Sequence, residues 1–305
     1  MRVRATVAAV SGALALSALV VPAAQAAGGS GPSWADQVAK VKQAESTPAA
    51  ANRSAASTFA AEKTADPVVL DATFSGLKIA SAVKVGTTNH VATTVTYKVT
   101  HAADLDFTSD TLLTGAYIYK GSYDEPVNML FGDEPATCTN TSATVATCKG
   151  DIDIYPAYGE LLNSDAGAWH VGALAESISA DGTELLGYAD QGGLAATNVQ
   201  RYSQLTVNAA PEPVVKGKTV TVTGKLSRAN WETNKYAGYS TQSVKLQYRK
   251  KSSTTYTTLK TIKTSTTGTL KTTVKATADG YYRFSFAGTT TTPAVSAAGD
   301  YVDVK

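Results

Sequence analysis

Alternation of apolar and polar residues dominates this chain from about residue 67 onward. Val91, Thr93, Val95, Tyr97 and Val99 recur at every second position, as a strand with one buried face requires. Tyr117-Ile-Tyr119, Ile152-Asp-Ile154 and Trp169-His-Val171 predict further short strands, with Trp169 facing a core, and Leu205-Thr-Val207 closes the set. Gly, Asn, Asp and Pro clusters separate them. After the proline-stiffened segment Ala209-Ala-Pro-Glu-Pro213, read as a short linker, the alternation resumes. Val220 and Val222, then Val244, Leu246 and Tyr248, then Tyr256 to Ile262, Leu270 to Lys275, Tyr282 to Phe286 and Tyr301 to Val304 each suit one strand. Roughly six or seven strands in about 90 residues predict an immunoglobulin-like sandwich. Tyr282, two residues before Phe284 and just after Asp279-Gly280, fits the tyrosine corner of such a fold.

Period two is absent from the first 66 residues. Arg2 and Arg4, the uncharged apolar run Ala5–Val21 and Ala24-Gln25-Ala26 read as a cleavable export signal over 1–26. The later sequence has no apolar stretch long enough for a membrane span. Residues 27–66 are rich in Ala, Ser and Thr. Within them Ser33 and Asp36 resemble a capping box, and Trp34, Val38 and Val41 share one helical face, so two readings stand: one short helix followed by a flexible tether, or a wholly disordered spacer. The expected organisation is signal peptide 1–26, tether 27–66, a β-sandwich over 67–207 and an immunoglobulin-like sandwich over 208–305. The fold class is all-β, two tandem immunoglobulin-like sandwiches.

Several motifs carry a resemblance. The run from Arg201 through Lys251, the later DGYYRFSFAGTTTTPAVSAAGDYVDVK, the pair Ala136-Thr-Cys138 and Thr147-Cys148-Lys149, and Gly167-Ala-Trp169-His-Val171 resemble a family of secreted actinobacterial two-domain β-sandwich proteins. It covers most of 67–305. The resemblance implies export and a C-terminal immunoglobulin-like module. Proteins of this kind are sometimes labelled calcium-binding, and the family supplies no catalytic residues.

Charge changes the picture more than composition does. Residues 67–207 hold 16 acidic and 6 basic side chains, a balance of −10, whereas 208–305 hold 5 acidic and 15 basic, a balance of +10. The net +2 of the whole chain conceals this split. A basic sandwich suits wall polyanions or polysaccharide, with Lys245, Arg249, Lys250 and Lys251 the candidate contacts and Lys260, Lys263, Lys271 and Lys275 extending them as one stripe. Trp231, Tyr236 and Tyr239 lie in a polar loop, where Trp231 reads as a core anchor first and as a platform for a sugar ring second.

Cys138 and Cys148, the only cysteines, read as a disulfide in an exported chain. Asp104, Asp106 and Asp110 crowd one loop and Asp151 and Asp153 follow Cys148. Two readings stand for the loop: calcium ligands, or solvated turns. It lacks the Gly and closing Glu of an EF-hand. Nucleophilic hydrolase chemistry finds little support. There is no GxSxG, and the SxxK matches at Ser75–Lys78 and Ser81–Lys84 lie in β-rich sequence without their companion motifs. The function expected is therefore a secreted, non-enzymatic binding or structural protein at the cell surface, with no certain cofactor and calcium as the one candidate. The alternatives are a hydrolase acting through the acidic domain and an inhibitor or toxin accessory that engages an extracellular protein partner.

Overall fold

The computed structural model describes residues 34–46 and 66–305. The export signal expected over 1–26, and the tether apart from its helix, lie outside the described residues. The N-terminal part consists of α1 (Trp34–Ser46), β1 (Val68–Val69), β2 (Ala72–Lys78), β3 (Ala82–Val85), β4 (Val91–His101) and β5 (Leu112–Gly121). It continues through β6 (Pro126–Phe131), β7 (Thr137–Ser142), β8 (Val145–Ile154), β9 (Gly167–Ile178) and β10 (Leu185–Arg201). The C-terminal part holds β11 (Ser203–Leu205), β12 (Asn208–Ala210), β13 (Thr219–Asn230), β14 (Lys235–Gly238) and β15 (Ser243–Lys250). Five more strands complete it: β16 (Thr257–Lys263), β17 (Thr269–Lys275), β18 (Gly280–Phe286), β19 (Val295–Ser296) and β20 (Asp300–Val302).

The chain forms two tandem immunoglobulin-like β-sandwiches. In the first, a sheet ordered β1-β10-β9-β5-β6, with β3 parallel to β10, faces a sheet ordered β2-β4-β8-β7. Val95, Tyr97 and Val99 of β4 meet Trp169, Val171 and Ala173 of β9 in one core, so the alternation that predicts β4 also points it inward. Burying each such aliphatic side chain contributes about 1.5–3 kcal/mol. Trp169 is a core residue, as its alternation with Val171 predicts, and its indole N–H donates to the Asp165 carbonyl at 2.7 Å.

Cys138 and Cys148 form a disulfide between directly opposed positions of β7 and β8. It ties two strands of one sheet rather than the two sheets, with Cys148 in the core. Closing a loop of this length contributes about 2.5–3 kcal/mol by chain entropy. Replacing both cysteines by alanine is expected to lower the melting temperature by roughly 5–10 °C. Two free thiols found by mass spectrometry on unreduced protein would refute the expectation.

In the second sandwich β13 is flanked by β11 and β12 on one side and by β17 and β14 on the other. Opposite lies β16-β15-β18 with β19 and β20 along β18. Val220, Val222, Leu246, Leu270, Tyr282 and Phe284 fill the space between. The corner hydroxyl expected of Tyr282 belongs instead to its cross-strand neighbour Tyr248, which donates to the Ala278 and Asp279 carbonyls at 2.9 and 3.1 Å. Tyr282 itself packs in the core.

Two features differ from the sequence reading. Residues 203–205 pair with β13, and β12 does so too, so Pro211-Glu-Pro213 runs within the second sandwich and does not separate the two. The chain crosses between sandwiches at Arg201–Ser203. Secondly, α1 is a packed third layer. Trp34, Val38 and Val41 are buried against Tyr117, Tyr119 and Leu174 on the outer face of β5 and β9. Gly115 makes this possible: a Cβ there would lie 2.4 Å from the Trp34 ring.

Candidate aromatic and cationic binding face

Strand alternation on β15 and β18 separates an inner and an outer set. Val244, Leu246, Phe284 and Phe286 point inward. Lys245, Gln247 and Arg249 on β15, with Tyr281, Arg283 and Ser285 on β18, form the outer set, and the register places Gln247 opposite Arg283 and Arg249 opposite Tyr281. Adjacent strands about 5 Å apart bring these side chains into contact.

The contact is a stack. The Arg249 guanidinium lies 3.8 Å from the centre of the Tyr281 ring and 5.4 Å from that of Tyr256. Arg283 lies 3.8 Å from the Tyr256 ring, and Lys251 Nζ lies 5.4 Å from the Tyr301 ring. Tyr281 and Tyr301 pack at 5.1 Å. Two hydrogen bonds lock the arginines: Arg283 Nε donates to Gln247 Oε1 at 2.8 Å, and Arg249 donates to the Ser253 carbonyl at 2.9 Å. The Tyr301 hydroxyl beside Lys251 and the nearby Asp279 carboxylate raise the lysine pKa. Asp279 is held low by the Val304 N–H it accepts. A guanidinium carries five N–H donors, more than the one each arginine is seen to spend on Gln247 or Ser253, and a guanidinium over a ring suits sulfate, phosphate or carboxylate groups.

Only part of the sequence-predicted set is gathered here. Lys245, Arg249 and Lys251 join the face. Lys250 follows the opposite alternation from Arg249. The longer stripe is divided by the sandwich: Lys271 and Lys275 lie on β17 in the other sheet, and Lys260 Nζ donates to the Thr273 carbonyl on that strand. Tyr256, Tyr281, Arg283 and Tyr301 escaped the sequence reading. Their signal was the interleaving Tyr281-x-Arg283 against inward Tyr282 and Phe284, which becomes meaningful only with the β15 register.

Trp231, Tyr236 and Tyr239 do not form a sugar platform. Trp231 is 2% exposed and sits in the core of the first sandwich, its N–H donating to the Gly86 carbonyl at 2.9 Å. Tyr236 packs on the same core. Tyr239 is half-buried between Phe286 and the Arg228 guanidinium, 3.8 Å from its ring centre. The aromatic loop is thus the junction between sandwiches. Asn163 Oδ1 accepts the Trp231 backbone N–H, and Arg201 Nε donates to the Ala229 carbonyl at 2.6 Å.

The acidic loop does not converge either. Asp104, Asp106 and Asp110 are exposed and do not come together as a ligand set. Asp106 Oδ1 accepts the backbone and hydroxyl of Thr108 and the amide of Asn140, which hold its carboxyl below the usual range. This is the geometry of a solvated turn. Among the described residues, the metal-type donors that do converge are His90, Asp133 and Asp153. There His90 Nε2 meets Asp153 Oδ1 at 2.6 Å, the Tyr155 hydroxyl donates to Asp133, and the His90 and Tyr155 rings stack at 4.4 Å. Their polar atoms are largely spent on one another. Both SxxK matches lie on or beside β2 and β3, not at a helix start.

No protein-family model matches the chain, and no curated protein sequence matches it. Among solved structures, the Yersinia pseudotuberculosis adhesin InvE is 12% identical over 76% of this chain and 58% of its own length, with a TM-score of 0.24. The D0-D1 domain of intimin is 15% identical over 75% of this chain and 98% of its own, with a TM-score of 0.25. The mouse nectin-like molecule 4 ectodomain is 11% identical over 77% and 65%, with a TM-score of 0.23. Overlaps this distant carry no argument about function. Among the described residues no helix is long and apolar enough to cross a membrane.

Proposed function

We propose that this chain is an exported, non-enzymatic binding protein whose C-terminal sandwich docks on anionic polysaccharide or other polyanion of a cell wall. One observation carries the reading: Arg249, Arg283 and Lys251 are pre-stacked on Tyr256, Tyr281 and Tyr301 on the outer face of one sheet. Pre-ordering reduces the entropy that long cationic side chains lose on binding. Tyrosine rings add a flat apolar surface for a pyranose face. The charge balance of +10 over 208–305 supports the reading by attracting polyanions from a distance. The −10 of the first sandwich keeps that sandwich off the polymer.

Chromatography of the whole chain on an immobilised polyanion such as heparin tests the proposal. The native chain is expected to be retained at low salt and to elute as salt rises, because such contacts bind by releasing counterions. Arg249→Ala with Arg283→Ala should weaken binding by about ten-fold and lower the elution salt. Lys271→Ala with Lys275→Ala removes the same charge from the opposite sheet and should matter less. Equal effects of the two pairs would reduce the face to a general charge effect, and no retention at all would sink the proposal.

A further inference from the structure

Beneath α1 lies a polar group that the binding face does not use. Asp190 on β10 points outward under the helix, its side chain fully buried, and Lys42 of α1 reaches it with an amine that is itself mostly covered. Aromatic rings enclose the pair: Lys42 Nζ is 5.0 Å from the centre of Tyr117 and 4.5 Å from that of Tyr123. Leu174, Trp34 and Val41 pack in the same layer. The two carboxylate oxygens of Asp190 differ. Oδ1 accepts a 2.6 Å hydrogen bond from the Tyr117 hydroxyl. Oδ2 is buried, contacts the Lys42 amine and has no hydrogen-bond partner. Gly172 permits the geometry, since a Cβ there would lie 2.4 Å from the Tyr117 ring that crosses β9 to reach Asp190.

A buried ion pair needs good hydrogen bonding to offset its desolvation, and Asp190 Oδ2 accepts no hydrogen bond although the Lys42 amine touches it. One proton passing from the ammonium to the carboxylate within this contact yields a neutral amine and a carboxylic acid. Those are the reactants for an amide. We infer that Lys42 and Asp190 condense spontaneously into an intramolecular isopeptide bond that fastens α1 to the sheet. Lys42 Nζ adds to Asp190 Cγ, forming the N–C bond. Oδ1 takes up the negative charge of the tetrahedral intermediate under the Tyr117 hydroxyl, which acts as the oxyanion donor. The Cγ–Oδ2 bond then breaks and Oδ2 leaves as water with two protons from the original ammonium. No oxidant, cofactor or second substrate is consumed. The product has no net charge to keep buried, and its carbonyl oxygen keeps the Tyr117 hydrogen bond.

Protein purified without modification should be digested under reducing conditions and analysed by tandem mass spectrometry. The expected result is a branched peptide joining α1 to β10, lighter than its two parts by one water, in nearly all molecules. Asp190→Ala should abolish the branch and leave Lys42 in a linear peptide. Tyr117→Phe should lower the linked fraction in protein sampled soon after synthesis. Linear Lys42 and Asp190 peptides from the native chain would overturn the inference, as would a branch that persists in Asp190→Ala. A linked fraction unaffected by Tyr117→Phe would remove the oxyanion role. The readout needs only the native chain, so failure of a variant to fold leaves the main outcome decided.

Discussion

Replacing Trp231 by alanine is expected to cost about 3–5 kcal/mol, the range for emptying a buried tryptophan site. It is also expected to resolve one thermal transition into two. The indole belongs by sequence to the second sandwich, yet it fills the core of the first beside Val85 and Trp169. Its N–H also satisfies the Gly86 carbonyl. Around it the connections are polar and at least half-buried: Arg201 to the Ala229 carbonyl and Asn163 to Asn230. A side chain shared in this way makes each sandwich's stability depend on the other. Calorimetry of the native chain and of Trp231→Ala and Trp231→Phe would decide it. Phenylalanine should recover part of the loss by filling part of the volume. An unchanged melting curve for the alanine variant would show that the junction is energetically inert.

Glu176 should make the protein more stable at pH 5 than at pH 8. This residue lies on β9 beneath α1, is fully buried, and neither carboxylate oxygen has a hydrogen-bond partner. Burial pushes its carboxyl up to about 7, with Lys40 of the helix opposing the shift in part. Gln37 also belongs to this helix, and the strand partners of Glu176 are Leu113 on β5 and Tyr188 on β10. In the unfolded chain the same group titrates near 4.3. The folded state thus holds a proton that the unfolded state has released. Its stabilising contribution is complete below the ordinary carboxyl range and is lost as pH rises to about 7, for a total of about 4 kcal/mol. Glu160, also raised by burial, acts with the same sign. Asp106, Asp181 and Asp279 are held low and act below about pH 4, outside this window. Urea unfolding at pH 5 and pH 8 measures the difference. Glu176→Gln should abolish most of it and be the more stable protein at pH 8. An equal pH dependence in native and variant chains would place the titrating group elsewhere.

Local pattern carried the strands well. Val91 to Val99 predicts β4 because period two and a one-sided apolar face are properties of a single segment. Trp34, Val38 and Val41 likewise mark the inner face of α1, although nothing local says that the face has a docking site. The cysteine pair was legible because two positions ten apart, the only cysteines of a chain read as exported, have few alternatives. Asp104 to Asp110, which the sequence left open between calcium ligands and solvated turns, show the opposite case. Nearness in sequence is not convergence in space, and Asp106 Oδ1 takes its hydrogen bonds from Thr108 in its own turn and from Asn140 on β7.

The sequence by itself determined the all-β character, the inward sets of most strands, the charge split and the pairing of Cys138 with Cys148. Strand partners belong to the tertiary structure. Only the register of β15 on β18 places Arg249 against Tyr281 and brings Arg283 to Tyr256, and only the division into two sheets parts Lys271 and Lys275 from them. Trp231 entering the neighbouring core, and Lys42 meeting Asp190 across 148 positions, were likewise settled there. The physical reason is that period and propensity arise from the backbone of one segment. A stack, a shared core or a buried pair is instead created by which segments the burial of apolar surface forces together.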